Sequence, residues 1–119
     1  MPCIEVKTSA QATQAQKELL KARLGEYIRT IPGKSENWLM VVIQDGMDVY
    51  FQGDGETPAA FLEVKVFDRS PRDPSSAAVF DTMTAKVTAA VHEILGVDPA
   101  RIYVKYERVP DWGYNGSNF

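Results

Sequence analysis

The sequence predicts an α/β domain of the α+β kind: a four-stranded mixed sheet carrying two helices on one face. Two observations predict it. The order strand, helix, turn, strand occurs twice, and Glu5-Val6-Lys7 recurs as Glu63-Val64-Lys65 at the same place in each unit. The chain has 119 residues, the size of one domain spanning residues 1–119. A chain of this length buries roughly two thirds of its unfolded surface and needs no metal or disulfide to hold a core. Each strand–helix–strand unit closes as a parallel, right-handed crossover. Two such units side by side make the sheet mixed and put both helices on the same side.

The elements follow in order. Cys3 to Thr8 alternates, with Ile4 and Val6 on one face and Glu5 and Lys7 on the other, the pattern of a half-buried strand. Thr13-Gln14-Ala15-Gln16 fits a capping box and starts a helix, with Ser9 as an earlier alternative. Leu20, Leu24, Tyr27, Ile28 and Ile31 form its apolar stripe, and Pro32-Gly33 ends it. Lys34-Ser35-Glu36 is a connector. Trp38 to Ile43 is apolar throughout and reads as a central strand covered on both faces. Asp45-Gly46 is a turn, Met47 to Phe51 a further short strand, and Gly53-Asp54-Gly55 a second turn.

The second unit opens with an alternating strand, Phe61 to Phe67, and a loop from Ser70 to Pro74. Asp73-Pro74 supplies an N-cap and first helical residue. Val79, Phe80, Met83, Val87, Ala90, Val91 and Ile94 are the helix stripe, and Gly96 stands where a C-terminal glycine belongs. Asp98-Pro99-Ala100-Arg101 turns into a strand from Ile102 to Glu107. Arg108 to Phe119 is a Gly/Asn/aromatic tail without a repeat partner.

Composition excludes several classes of function. The net charge of −3 gives no nucleic-acid footprint. A single cysteine, Cys3, excludes an internal disulfide and a cysteine-based zinc site, and a single histidine, His92, argues against a histidine-ligated metal. No signal-peptide core follows Met1 and no apolar run is long enough to span a membrane, so the cytoplasm is the expected location. No cofactor motif is present: Gly53-Asp54-Gly55 lacks the lysine of a phosphate loop, and no serine sits in a nucleophile elbow. His92 lies off the apolar stripe of its helix and reads as a solvated residue. Cys3 reads as a small buried thiol.

The sheet face opposite the helices carries Cys3, Glu5, Lys7, Glu63, Lys65, Phe67, Tyr103, Lys105 and Glu107. That mixture suits water or the wet centre of an oligomer, and Glu5 and Glu63 read as members of a charged ladder with Lys7 and Lys65. An open four-stranded sheet has edges that invite pairing. The spare strand and the tail are expected to pair across subunits.

The residues left for chemistry are few. Removal of Met1, which a small second residue favours, leaves Pro2 with a secondary amine in place of an amide. An α-amino group titrates near pH 7.7–8.0, so a modest downward shift makes it a base at neutral pH. Taken by position alone, Pro2 reads more readily as a strand-start residue whose missing N–H costs nothing. Beside it stand Lys34 after its tight turn and the aromatic C-terminus.

These residues bring a family into view. The chain resembles macrophage migration inhibitory factor and its relatives in the tautomerase superfamily over its whole length. The resemblance rests on Pro2, Gly33-Lys34 with Trp38 following, Phe51-Gln52-Gly53, Pro58-Ala59-Ala60, Asp98-Pro99-Ala100-Arg101-Ile102-Tyr103-Val104, and Trp112-Gly113-Tyr114-Asn115-Gly116-Ser117-Asn118-Phe119. It implies a homotrimer whose sheets form a barrel, with three active sites at subunit interfaces. It implies Pro2 as the catalytic base and Lys34 as the active-site lysine. Phe67 stands at a position whose backbone lines the pocket, Trp38, Trp112, Tyr114 and Phe119 at wall positions, and Tyr103 at a tyrosine given by the neighbouring subunit. Lys105 replaces an asparagine of mammalian relatives and adds a positive charge. The Cys-x-x-Cys of the mammalian cytokine would fall at Ala59 to Leu62 and is absent.

The activity so implied is keto–enol tautomerisation of a small aromatic keto acid, an arylpyruvate, without cofactor or metal. A second reading is a cytokine-like ligand for a cell-surface receptor, because relatives leave cells without a signal peptide. A third is hydration, dehalogenation or decarboxylation of a small acid, for which Arg69 and Arg72 are available but no water-activating acid is seen.

Overall fold

The computed structural model describes residues 1–119. Alternation decides which way the sheet faces. In β1 (Pro2–Thr8), Ile4 and Val6 are fully buried, whereas Cys3, Glu5 and Lys7 are half-exposed. β3 (Ala60–Phe67) repeats this with Leu62, Val64 and Val66 inward. Those side chains meet Leu20, Leu24 and Ile28 from α1 (Gln14–Tyr27) and its terminal 3₁₀ turn, and Met83, Val87 and Val91 from α2 (Pro74–Leu95). Both helices lie on one face, and the core sits between the two layers.

The helices begin and end for local reasons. Gln16 N donates to Thr13 Oγ1 (3.1 Å) and Thr13 N to the Gln16 side chain (2.8 Å), completing the capping box. Asp73 accepts from Ser75 N and Ser76 N with Pro74 in the first turn. Gly96 ends α2 in the left-handed region at φ +71°, where a side chain is costly. His92 is exposed, as read from the sequence, and its Nδ1 lies 3.0 Å from Val97 O.

The sheet order is β2-β1-β3-β4, with β2 spanning Met40–Gln44 and β4 spanning Ile102–Val109. β1 runs parallel to β2 and antiparallel to β3, and β3 runs parallel to β4. This is the doubled crossover that the repeat predicts.

Three segments differ from the sequence reading. The run from Trp38 to Ile43 is not a central strand. Glu36–Trp38 forms a 3₁₀ turn, the strand is Met40–Gln44, and it lies at the sheet edge with Met40 65% exposed. Its apolar residues have a layer above them but only one neighbouring strand. Met47 to Phe51 is not a strand within the protomer: Met47 N reaches Thr8 O (3.0 Å), and Phe51 pairs only with Asp54 across a tight turn at Gln52 and Gly53. Beyond that one bond to the end of β1, it pairs with no strand of the same chain. The C-terminal tail is a hairpin of β5 (Gly113–Tyr114) and β6 (Ser117–Asn118). In addition, β4 outruns its expected end at Glu107, because Val66 and Phe67 offer partners to Arg108 and Val109. Cys3 is half-buried, not buried, since it lies on the face away from the helices.

Candidate functional site

Strand β1 delivers Pro2 to one end of the sheet. Its ring is buried, and antiparallel pairing sets it opposite Val66, one residue before Phe67. Phe67 N donates to Met1 O at 2.8 Å. From the other side, the Pro32-Gly33 turn brings in Lys34. Gly33 adopts φ +78°, a conformation that glycine takes at no steric cost, and Lys34 N closes the turn on Ile31 O (3.1 Å). The Lys34 ammonium then donates to Phe67 O at 2.8 Å. The first two residues, Lys34 and the Phe67 backbone therefore converge.

That convergence acts on the amino group present here. Burial lowers the pKa of the Met1 amine below its ordinary 8.0, and the charge and hydrogen bond of Lys34 lower it further. Both causes disfavour a second positive charge at this spot.

A cavity of about 810 Å³ opens beside Pro2. Its floor is the outer sheet face: Cys3 and Glu5 from β1, Met40 and Val42 from β2, and Lys65 from β3. Its wall is aromatic, built from Trp38, Trp112 and Tyr114. Trp38 meets Tyr114 edge-on, with ring centroids 5.3 Å apart at 82°. Tyr114 stacks toward Phe119 (6.2 Å), and Phe119 toward Phe67 (5.6 Å). The wall thus runs without a break from Trp38 to the residue that bonds Lys34.

The structure brings together Pro2, Lys34, Phe67, Trp38, Trp112, Tyr114 and Phe119. It does not bring Tyr103 or Lys105 to them within one protomer. Both lie on β4, two strands from β1. Tyr103 packs edge-on against Phe51 (5.3 Å) and is 62% exposed. The Lys105 ammonium is 2.6 Å from Glu107 and 3.8 Å from Glu63. Lys34 and Phe67 line not this cavity but a second, smaller one of about 360 Å³, against Ile31, Asp73 and Phe80.

Sequence reasoning placed Cys3, Glu5 and Lys65 on the outer face but not in the cavity. The missing step was register: β1 and β3 set Cys3 opposite Lys65, whose ammonium is 2.6 Å from Glu5. Burial pushes the Cys3 thiol pKa up and the nearby Glu5 pushes it further, so the thiol stays protonated and weakly nucleophilic. Met40 and Val42 follow Trp38 at every second place in the apolar run, a spacing that puts them on the same side.

Such a site suits a small acid with an apolar ring. It offers a lysine for negative charge, an aromatic surface, and a chain terminus whose amine has a lowered pKa, while the Phe67 N–H is held by Met1 O.

Comparisons with known proteins agree with this picture. The family model described as macrophage migration inhibitory factor (MIF) matches residues 1–119. Comparison with curated protein sequences gives no significant match. Among solved structures, Leishmania major MIF2 is 30% identical, with a TM-score of 0.85 and coverage of 100% of this chain and 97% of that one. A macrophage migration inhibitory factor homologue from Prochlorococcus marinus is 29% identical, with a TM-score of 0.78 and 98% of both chains covered. The Toxoplasma gondii macrophage migration inhibitory factor, at 22% identity and a TM-score of 0.85 over 98% of this chain and 99% of that one, shares the fold.

Proposed function

The chain belongs to the macrophage migration inhibitory factor family, and on that premise we propose that it is a keto–enol tautomerase of arylpyruvates that uses the amine of Pro2 as its base. Family membership supports isomerase chemistry of the tautomerase kind; the substrate and the residues are our reading. The observation that carries it is the place of Met1. Its carbonyl oxygen, two bonds from the Pro2 nitrogen, accepts from Phe67 N at 2.8 Å, and its amine lies beside Lys34. Loss of Met1 leaves the Pro2 nitrogen as a free secondary amine and releases one N–H donor and one cation next to it.

A bound arylpyruvate lays its carboxylate toward Lys34 and its ring along the wall of Trp38, Tyr114 and Phe119. The neutral Pro2 amine takes a proton from the carbon between the ring and the ketone. The electron pair moves to the ketone oxygen, where the Lys34 charge and the Phe67 N–H stabilise the enolate. The proton on Pro2 then passes to that oxygen and gives the enol, or returns to carbon in the reverse direction. A positioned base of this kind contributes about 10²–10⁴-fold.

The protomer is incomplete by itself. Trp38, Met40, Tyr50 and Tyr103 are large apolar or aromatic residues that stand exposed on the sheet edges and the unpaired 47–50 segment. Assembly of three copies covers them, and it carries Tyr103 and Lys105 of a neighbour to the open side of the cavity. The test measures phenylpyruvate tautomerisation for the processed protein, for Pro2→Gly and for protein that retains Met1. Activity is expected only in the first, with intact mass reporting Met1 removal; equal rates in all three remove Pro2 from the reaction.

A further inference from the structure

The aromatic wall is attached to the rest of the chain in an uneven way. Residues 110–119 make their own hairpin, closed by Phe119 N donating to Trp112 O at 3.0 Å. Two hydrogen bonds alone join this segment to the body, and both come from one side chain. Arg69 Nε donates to Pro110 O at 3.0 Å, and its terminal nitrogen donates to the backbone oxygen of Phe119. The same guanidinium lies over the Phe67 ring, 5.3 Å from its centroid. Arg69 therefore grips the wall at its first and last residues and stacks on the ring where the wall meets the Lys34 site.

The backbone that presents Arg69 is fixed on both sides. Asp68 N donates to Val109 O (3.1 Å), and the Asp68 carboxylate accepts from Arg108 Nε (3.0 Å) and from Ser70 N (2.8 Å). Arg108 also donates to Ser70 O. A planar fork of donors on a fixed loop can hold two carbonyls and a ring face together, which a lysine ammonium does less well. Its contacts end on Pro110 and Phe119, which bracket the wall residues Trp112 and Tyr114, and on the Phe67 ring, which packs on Phe119.

We propose that Arg69 is a positioning residue for the aryl subsite: by holding Pro110, Phe119 and the Phe67 ring, it sets the aromatic wall against which the substrate ring packs. It touches no reacting atom. The proposal rests on the tautomerase reading for its substrate and on the clasp itself for its structure. Its loss loosens ring binding and leaves the proton transfer at Pro2 as it was.

The experiment compares processed wild type, Arg69→Lys and Arg69→Met by phenylpyruvate kinetics and by hydrogen exchange of residues 110–119. The expected result for Arg69→Met is a rise in KM of about tenfold with kcat within about twofold, the loss of one charged hydrogen-bond pair. Exchange in 113–119 is expected to accelerate while β1 and β3 keep their protection, and Arg69→Lys is expected to recover part of both effects. An unchanged KM, or a fall in kcat alone, overturns the proposal. If the wild type itself does not turn over phenylpyruvate, the tautomerase reading fails and the clasp is decided by exchange: faster exchange confined to 113–119 upholds it, and unaltered exchange overturns it. Should Arg69→Met not fold, Arg69→Lys carries the same two readouts.

Discussion

A secondary amine acts as a base only while it is neutral, so the activity proposed for Pro2 has a definite pH dependence. The two causes that lower the pKa of the amine at this spot are burial first and Lys34 second. Both act on the Pro2 nitrogen once it is the terminus. Rate is therefore expected to rise with pH as the protonated amine is depleted, with a midpoint below that of an N-terminal proline free in solution. A kcat/KM profile for phenylpyruvate checks this; a midpoint at or above that value contradicts a desolvated amine beside a cation. Replacing Lys34 by methionine keeps the bulk and removes the charge. The midpoint should move up only part of the way, because burial remains. The loss of the charge that faces the enolate should lower kcat/KM by about 10²-fold. The same profile measured on Lys34→Met reads both effects, and a drop in rate with no rise in midpoint would confine Lys34 to binding the carboxylate.

Individual elements were legible where their signals are local. The Thr13–Gln16 box, the Asp73-Pro74 start and the Gly96 stop each depend on residues within one turn, and each stands where the sequence puts it. Gly96 makes the point quantitatively. A Cβ there meets no atom within 4 Å, so the strain of the left-handed backbone is the whole cost of Gly96→Ala. The expected loss is about 1 kcal/mol in urea denaturation; a neutral substitution would mean that α2 can end another way. The misread elements are those whose signals are not local. Trp38 to Ile43 is apolar enough for a central strand, yet its place at the edge depends on the partner that β1 takes on its other side. Met47 to Phe51 has the composition of a strand and finds no partner in its own chain. The tail contains Asn115-Gly116, with φ +51° and +86°, which is the strongest short hairpin signal there is. Its flanking strands are only two residues long, too short to carry an alternating pattern. The site divides in the same way. Pro2, Lys34 and the wall were legible as a set through family resemblance, whereas Lys65 in the cavity floor and Arg69 behind the wall depend on strand register and on a loop clamp.

At the scale of the whole molecule, one layer is apolar and the opposite face is charged. If the exposed edges pair as proposed, the protein sediments as a particle three times its 13.2 kDa chain mass, and a monomer in solution would leave Tyr103 and Lys105 without a site to complete. The charged face does not depend on that assembly. Glu63 lies in the middle of the sheet and is only 9% exposed. Lys7 is 3.1 Å from its carboxylate, Lys105 3.8 Å and Lys65 3.9 Å, and Lys65 is held in turn by Glu5 at 2.6 Å. Alternation predicted which residues share this face; the pairing itself follows from Glu5 lying opposite Glu63 and Glu63 opposite Lys105. Two facing glutamates are tolerated because three lysines surround them. Glu63→Gln keeps the shape and leaves those lysines facing one another, at a cost of about 1–3 kcal/mol near neutral pH. The pH dependence fixes the cause. The hydrogen bond from Lys7 holds the Glu63 carboxyl below its ordinary 4.5 in the folded chain. Its contribution is complete above the unfolded value and is lost as pH falls through the folded one. The stability gap between wild type and Glu63→Gln should therefore be full at pH 7 and close on acidification below about pH 4. Urea denaturation of both proteins across that range reads it, and a gap independent of pH would assign the cost to side-chain packing, not to the ladder.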